Sequence, residues 1–207
     1  MARYLDVHPA NPQPRAIAQA AQLIRDGGLV VVPTDCCFSL TCSLGNADGL
    51  DRIRRIRRLD AKHHFTLLCA DFAQLGQFVH IDNSVFRLLK ANTPGKYTFI
   101  LPATSEVPRR MLQPKKRTVG VRIPDHRVVT ALLSELGEPL MSSTLLLPDE
   151  ADPPTQGWEI AELLAHEVDA VVDSGDGGVE PTTVVDLSSG IPEIARLGAG
   201  DPTPFEA

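Results

Sequence analysis

Two rhythms of apolar residues alternate along this chain. Ala16, Ile17, Ala20, Leu23 and Ile24 recur at helical spacing behind Asn11-Pro12, which predicts a capped helix that stops at Gly27-Gly28. Leu29–Thr34 is a continuous apolar run that predicts a buried strand ending in a turn, and Cys36–Leu44 follows as a second extended segment. Asn46 can cap a helix whose Leu50, Ile53 and Ile56 share one face, leaving Arg52, Arg54, Arg55 and Arg58 mostly toward solvent. Further strands are predicted at Phe65–Ala70, Tyr97–Ala103, Thr118–Ile123, Leu140–Thr144, Ala170–Asp173, Thr183–Leu187 and Glu193–Arg196. Helices are predicted at Asn83–Lys90, Pro124–Gly137 and Trp158–His166, with Trp158 taken as a core or capping aromatic. Strands and helices alternate through most of the length. That pattern predicts an α/β domain with a twisted, mixed parallel and antiparallel sheet covered by helices. The predicted domain spans residues 10–200, with the termini 1–9 and 201–207 peripheral to it; 207 residues suffice for one good core.

Composition narrows the class. Hydrophobic residues make up 43% and charged residues 22%, values of an ordinary globular chain. The apolar runs are far too short to cross a bilayer and nothing near the start resembles a signal peptide, so no membrane partner and a cytoplasmic location are expected. Four cysteines, Cys36, Cys37, Cys42 and Cys69, suggest no disulfide framework. Combined with His63 and His64 they match no zinc spacing, so they are expected to be small buried hydrophobes, and no structural metal is expected. The two histidines, if on a strand, would point to opposite faces, and a surface position is expected for them.

Charge is distributed unevenly. Residues 1–130 carry 19 of the 20 Lys and Arg against 10 acids, whereas residues 131–207 carry Arg196 alone against 16 acids. Arg52, Arg54, Arg55, Arg57, Arg58 and Lys62 fall within eleven residues, and Arg109, Arg110, Lys115, Lys116, Arg117 and Arg122 within fourteen. Such clusters point to a polyanion partner, with a double-stranded RNA or tRNA backbone as the expectation. Aromatics are only 5%, which argues against reading single strands by base stacking.

Several segments in order resemble one family. VVPTDCCFSL is similar to the signature strand and turn of the YrdC/YciO family, usually PTDTVYGL, and IRRIRRLDAKHHFTLL is similar to its basic segment near K-x-R-P. TPGKYTFILPA, TVGVRIPDH, PLMSSTLLL, and PTTVVDL ahead of Arg196-Leu197-Gly198 resemble its later motifs, across residues 10 to 200 and closest to the YciO branch. The resemblance implies an α/β fold with an electropositive concave face. Many members make threonylcarbamoyl-AMP from threonine, bicarbonate and ATP for tRNA modification, and some have been described as binding double-stranded RNA. It implies nucleotide contacts from Arg57, Ser142, Ser143, Thr144 and Arg196, with Mg²⁺ bridging the phosphates if the protein is catalytic. It implies substrate contacts from Thr34, Phe38, Arg122 and Thr183, with Arg122 as a carboxylate clamp.

This chain departs from the family pattern at several of these places. Leu59 and Asp60 stand where a second arginine and a proline would be, Phe38 replaces a tyrosine, and Leu145 and Leu146 end the STSAN-like run. These changes predict weakened or altered synthase activity, the alternative being a non-catalytic double-stranded RNA-binding module. A third alternative makes both basic segments solvated surface, with some other small-molecule role in the pocket. The oligomeric state is left open between monomer and homodimer.

Overall fold

The computed structural model describes residues 1–60, 63–113 and 115–206, and among them ten strands form one mixed sheet. In chain order the strands are β1 (Arg3–Asp6), β2 (Val30–Val32), β3 (Ser39–Ser43), β4 (Thr66–Leu68), β5 (Tyr97–Pro102), β6 (Thr118–Arg122), β7 (Leu140–Thr144), β8 (Ala170–Asp173), β9 (Thr183–Asp186) and β10 (Glu193–Arg196). Their order across the sheet is β1-β8-β2-β3-β7-β4-β6-β5-β9-β10. The helices are α1 (Pro14–Arg25), α2 (Ala47–Arg57), α3 (Phe72–Phe78), α4 (Asn83–Ala91), α5 (Arg127–Leu136) and α6 (Gly157–Leu163). The α/β architecture with a mixed sheet is as the apolar rhythm predicts.

Strand alternation sends neighbouring side chains to opposite faces and so builds two apolar layers. Val30, Val32, Leu68 and Leu140 meet Ile17, Ala20, Ala21 and Ile24 of α1 and Val128, Val129, Leu132 and Leu133 of α5. Val31, Leu67 and Met141, one residue out of step, meet Leu50, Ile53 and Ile56 of α2 in the larger layer. Local chemistry sets several boundaries. Asn46 caps α2 by accepting from the Gly49 amide at 2.9 Å, and Asp71 and Asp82 do the same for α3 and α4 at 2.8 Å. Gly137 ends α5 at a φ of 73°, a left-handed turn that glycine adopts without a Cβ clash.

Four features differ from expectation. α1 begins at Pro14 rather than at Asn11, because His8 Nδ1 accepts the Ala10 and Asn11 amides and holds that segment in a turn. The stretch after β2 is a turn rather than strand: Thr34 Oγ1 accepts from the Cys36 and Cys37 amides and donates to Cys37 O, and β3 starts only at Ser39. Segments 1–9 and 201–207, expected to be peripheral, supply the sheet's edge strand β1, a buried Val7 and a buried Phe205. Trp158, expected in the core, stands 52% exposed on α6. All four cysteines are buried and unpaired.

Candidate functional site

The face that α1 and α5 cover over β2 and β8 continues across β4, β6, β5, β9 and β10 with small polar side chains. Register places Thr66 beside Gly120, Gly120 beside Ile100, Thr98 beside Val184 and Val184 beside Arg196. Gly120 keeps this floor low, since a Cβ there would stand 2.8 Å from Thr66 Oγ1 and 3.2 Å from Thr98 Cγ2. Above the floor lies a cavity of about 370 Å³, walled by Arg57, His63, His64, Ser143, Thr144, Leu146, Thr182 and Arg196. That volume lies within the range of small-ligand sites. The last turn of α2 delivers Arg57, the end of β7 delivers Ser143 and Thr144, and β10 delivers Arg196.

Both arginines are held by neutral groups. Arg57 Nη1 donates to Ser143 Oγ at 2.6 Å and its Nε to Leu146 O at 3.2 Å. Arg196 donates through Nε and Nη2 to Thr182 O, at 3.3 and 2.7 Å. Burial, with Arg196 nearby, pulls the Arg57 guanidinium down to about 10, and burial lowers Arg196 as well. Both remain cations at neutral pH. No carboxylate lies among the lining residues. Two half-desolvated guanidiniums in a cavity without an acid form a site for an anion.

The histidines are not surface residues. His63 and His64 precede β4 in irregular backbone, where strand alternation does not apply, and both reach into the cavity. His63 Nε2 lies 3.1 Å from Ser143 Oγ, and His64 Nε2 lies 3.3 Å from Thr118 Oγ1. Burial and the Arg57 charge push His63 down to about 4, and burial lowers His64, so both rings are neutral at pH 7.

Of the residues expected at the site, Arg57, Ser143, Thr144 and Arg196 converge on this one cavity and the others do not. Ser142 is buried with its hydroxyl donated to Thr66 O. Thr183 alternates away from Val184, and its hydroxyl donates to Gly200 O; its neighbour Thr182 lines the wall instead. Phe38 is fully buried in the core. Thr34 is spent on its own turn and lies beside a separate cleft with Asp35, Lys96 and His126. Arg122, expected as a carboxylate clamp, lies outside this cavity, and its buried guanidinium is bonded to the half-buried Asp35 carboxylate.

The expected RNA surface also changes in three dimensions. Arg52 pairs with Asp169 at 2.8 Å, Arg55 with Glu167 at 3.0 Å, Arg58 with Asp149 at 3.0 Å and Lys116 with Asp186 at 3.4 Å. Arg54 and Arg110 share Asp51, at 3.5 and 3.9 Å. Four of those five acids come from the acidic segment 131–207, so the linear charge asymmetry is largely cancelled by folding. Arg109, Lys115 and Arg117 remain exposed. Lys62 lies outside the described residues.

The fold and cavity define a class: an α/β protein whose open sheet face holds a pocket of small-ligand size lined by two arginines. Comparison with known proteins agrees, since a Sua5/YciO/YrdC family profile, described as "Telomere recombination", matches residues 22–198. The chain belongs to that family. It is 44% identical to the uncharacterised protein YciO of Escherichia coli, over 99% of this chain and all of the relative, and the crystal structure of that protein matches with a TM-score of 0.96 over the full length of both. A threonylcarbamoyl-AMP synthase of Halorhodospira halophila is 30% identical over 88% of this chain and 95% of its own. The crystal structure of P. abyssi Sua5 complexed with L-threonine matches with a TM-score of 0.86 at 26% identity, over 94% of this chain and 57% of that one.

No helix among the described residues is long and apolar enough to cross a membrane, and no group of three or more His, Cys, Asp and Glu among them is placed to hold a metal ion.

Proposed function

We propose that the cavity binds ATP and that the protein is an adenylate-forming enzyme of the threonylcarbamoyl-AMP synthase type, with weakened activity. The observation that carries this reading is the convergence of Arg57 and Arg196, each bonded to neutral groups, on a pocket with no carboxylate in its wall among the described residues. Phosphoryl and adenylyl transfer depend on placing positive charge and hydrogen-bond donors around oxygens whose charge builds in the transition state. Arg57 and Arg196 supply the charge, and Ser143, Thr144 and Thr182 supply hydroxyls. Mg²⁺ would arrive on the nucleotide's phosphates, because the wall offers it no carboxylate. Threonine is the co-substrate suggested by the L-threonine complex of P. abyssi Sua5, and bicarbonate is the one that the family resemblance implies.

Weakening follows from two positions. Leu146 presents a hydrocarbon to the pocket where the family motif has an amide, and Leu59 removes one cation next to Arg58. The test is pyrophosphate release from ATP by the purified protein with and without threonine and bicarbonate. Release that requires threonine supports the synthase. Release that ignores threonine, or none with nucleotide still bound, refutes it.

The exposed Arg109, Lys115 and Arg117 support a second, smaller reading, in which double-stranded RNA or tRNA is held by its backbone. A salt titration of RNA binding to wild type and to the Arg109→Glu/Lys115→Glu/Arg117→Glu variant decides it; binding that is equal in the two sinks the idea.

A further inference from the structure

His63 occupies a position in the pocket wall where its charge decides what the neighbouring hydroxyl can do. Ser143 Oγ accepts a hydrogen bond from Arg57 Nη1 at 2.6 Å, so its own O–H is left to point at His63 Nε2, 3.1 Å away, when that nitrogen is bare. His63 Nδ1 has no hydrogen-bond partner among the described residues. The ring is also braced edge-on against Phe65, with centroids 5.3 Å apart, so it is held in place rather than swinging free.

We propose that His63 is a ligand-binding residue of this pocket: it takes up a proton as a phosphate-bearing ligand enters, and thereby provides a third cation and turns the Ser143 hydroxyl toward the ligand. This rests on the nucleotide-binding reading above. Burial keeps the ring neutral, reinforced by Arg57 from α2, His64 beside it and Arg196 from β10, with Asp60 opposing them. A bound phosphate reverses that balance by placing negative charge among the same groups. Once both ring nitrogens carry protons, Nε2 donates to Ser143 Oγ. The oxygen then accepts from Arg57 and His63 together, and its own proton is free to donate to a phosphate oxygen. The charge missing at Leu59 is in this way supplied by a residue that is cationic only when the ligand is present.

The sign follows from linkage. A group that binds a proton more tightly in the complex than in the free protein makes ligand affinity rise as pH falls through the interval between its two values, by up to about tenfold per pH unit. The free value is about 4, so the effect extends through mildly acidic pH. The experiment is calorimetric titration of ATP at pH 5.5, 6.5 and 7.5, in buffers of differing ionisation enthalpy, for wild type and His63→Gln. Glutamine keeps a donor toward Ser143 but cannot gain charge, and subtracting the two proteins removes the titration of ATP itself. Wild type is expected to take up more protons than the variant, approaching one per ligand at the lowest pH, with an affinity that steepens accordingly. A second readout in unmutated protein is the His63 ring resonance, which should titrate at higher pH with ATP bound. Equal proton counts in the two proteins and an unmoved resonance, with ATP bound, overturn the role of His63 alone. No ATP binding at any pH overturns the nucleotide reading and this inference with it.

Discussion

The Asp35–Arg122 pair tests whether Arg122 serves structure or ligand. Arg122 is 5% exposed and its guanidinium bonds Asp35, while Arg122 Nε and Asp35 Oδ2 are both buried without a hydrogen-bond partner among the described residues. Each charge has therefore left water, and only part of its hydrogen-bonding capacity has been replaced. Removing one partner strands the other, which costs about 3–5 kcal/mol, whereas replacing both with apolar residues of similar volume is often close to neutral. For a chain of this size 1 kcal/mol lowers Tm by roughly 2–4 °C, so Arg122→Met should melt about 6–20 °C below wild type. Asp35→Leu should fall similarly, and the double variant should recover most of the loss. The assay is a four-protein thermodynamic cycle by thermal and urea unfolding, with threonine binding measured alongside. An Arg122→Met protein as stable as wild type but unable to bind threonine would refute the structural assignment and restore the clamp. Simple addition of the two single losses would refute the coupling.

Other consequences concern the pocket and the buried titratable groups. Arg57→Ala and Arg196→Ala should each weaken nucleotide binding by about 1.5–3 kcal/mol, the scale of a hydrogen bond to a charged group, with circular dichroism unchanged; affinity within twofold of wild type would contradict the site. Gly120→Ala, by setting a methyl against Thr66 and Thr98, should fill the cavity floor and reduce ligand binding more than it lowers Tm, a comparison that binding and melting curves make directly. His63, His64 and His126 all have values lowered by burial, so the folded protein resists their protonation and the unfolded chain does not. Stability of the free protein should fall as pH drops below the unfolded value of about 6.5, and His63→Gln should flatten part of that fall in urea titrations at pH 7, 6 and 5. Burial drives Cys37, Cys42 and Cys69 up to about 12, so a thiol reagent at pH 8 should find them inert until the chain is denatured.

The main elements were legible because strands here are short apolar runs, and because the helix faces Leu50, Ile53, Ile56 and Val128, Val129, Leu132, Leu133 repeat at helical spacing. β1 was missed because it pairs on one side only. With three of its four residues exposed, it carries little apolar signal. The pocket floor did leave a mark in the sequence. Thr66, Thr98 and Gly120 interrupt three apolar strands with small side chains, and register brings them to one face. Small side chains make room rather than react, so they carry no motif signal. Thr183 and Ser142 resemble the family's motif positions, but the fold spends their hydroxyls on Gly200 O and Thr66 O.

Charge could not be read from linear order, and the reason bears on function. Asp169, Glu167, Asp149 and Asp186 come from the C-terminal third, yet the sheet order and the loops around it set them beside Arg52, Arg55, Arg58 and Lys116. Exposed pairs of this kind add little stability, but each lowers the local potential that a polyanion would meet. Arg57 sits between Arg55 and Arg58 in sequence and escapes this fate, because helix periodicity turns it inward to Ser143 while its neighbours face the acids. Folding thus pairs Arg52, Arg54, Arg55 and Arg58 with acids and leaves Arg57 facing the pocket, with Arg196 across the cavity. A phosphate-bearing small molecule matches that arrangement better than a long duplex does, since the duplex needs cations spread along a surface and the ligand needs two or three directed at one point.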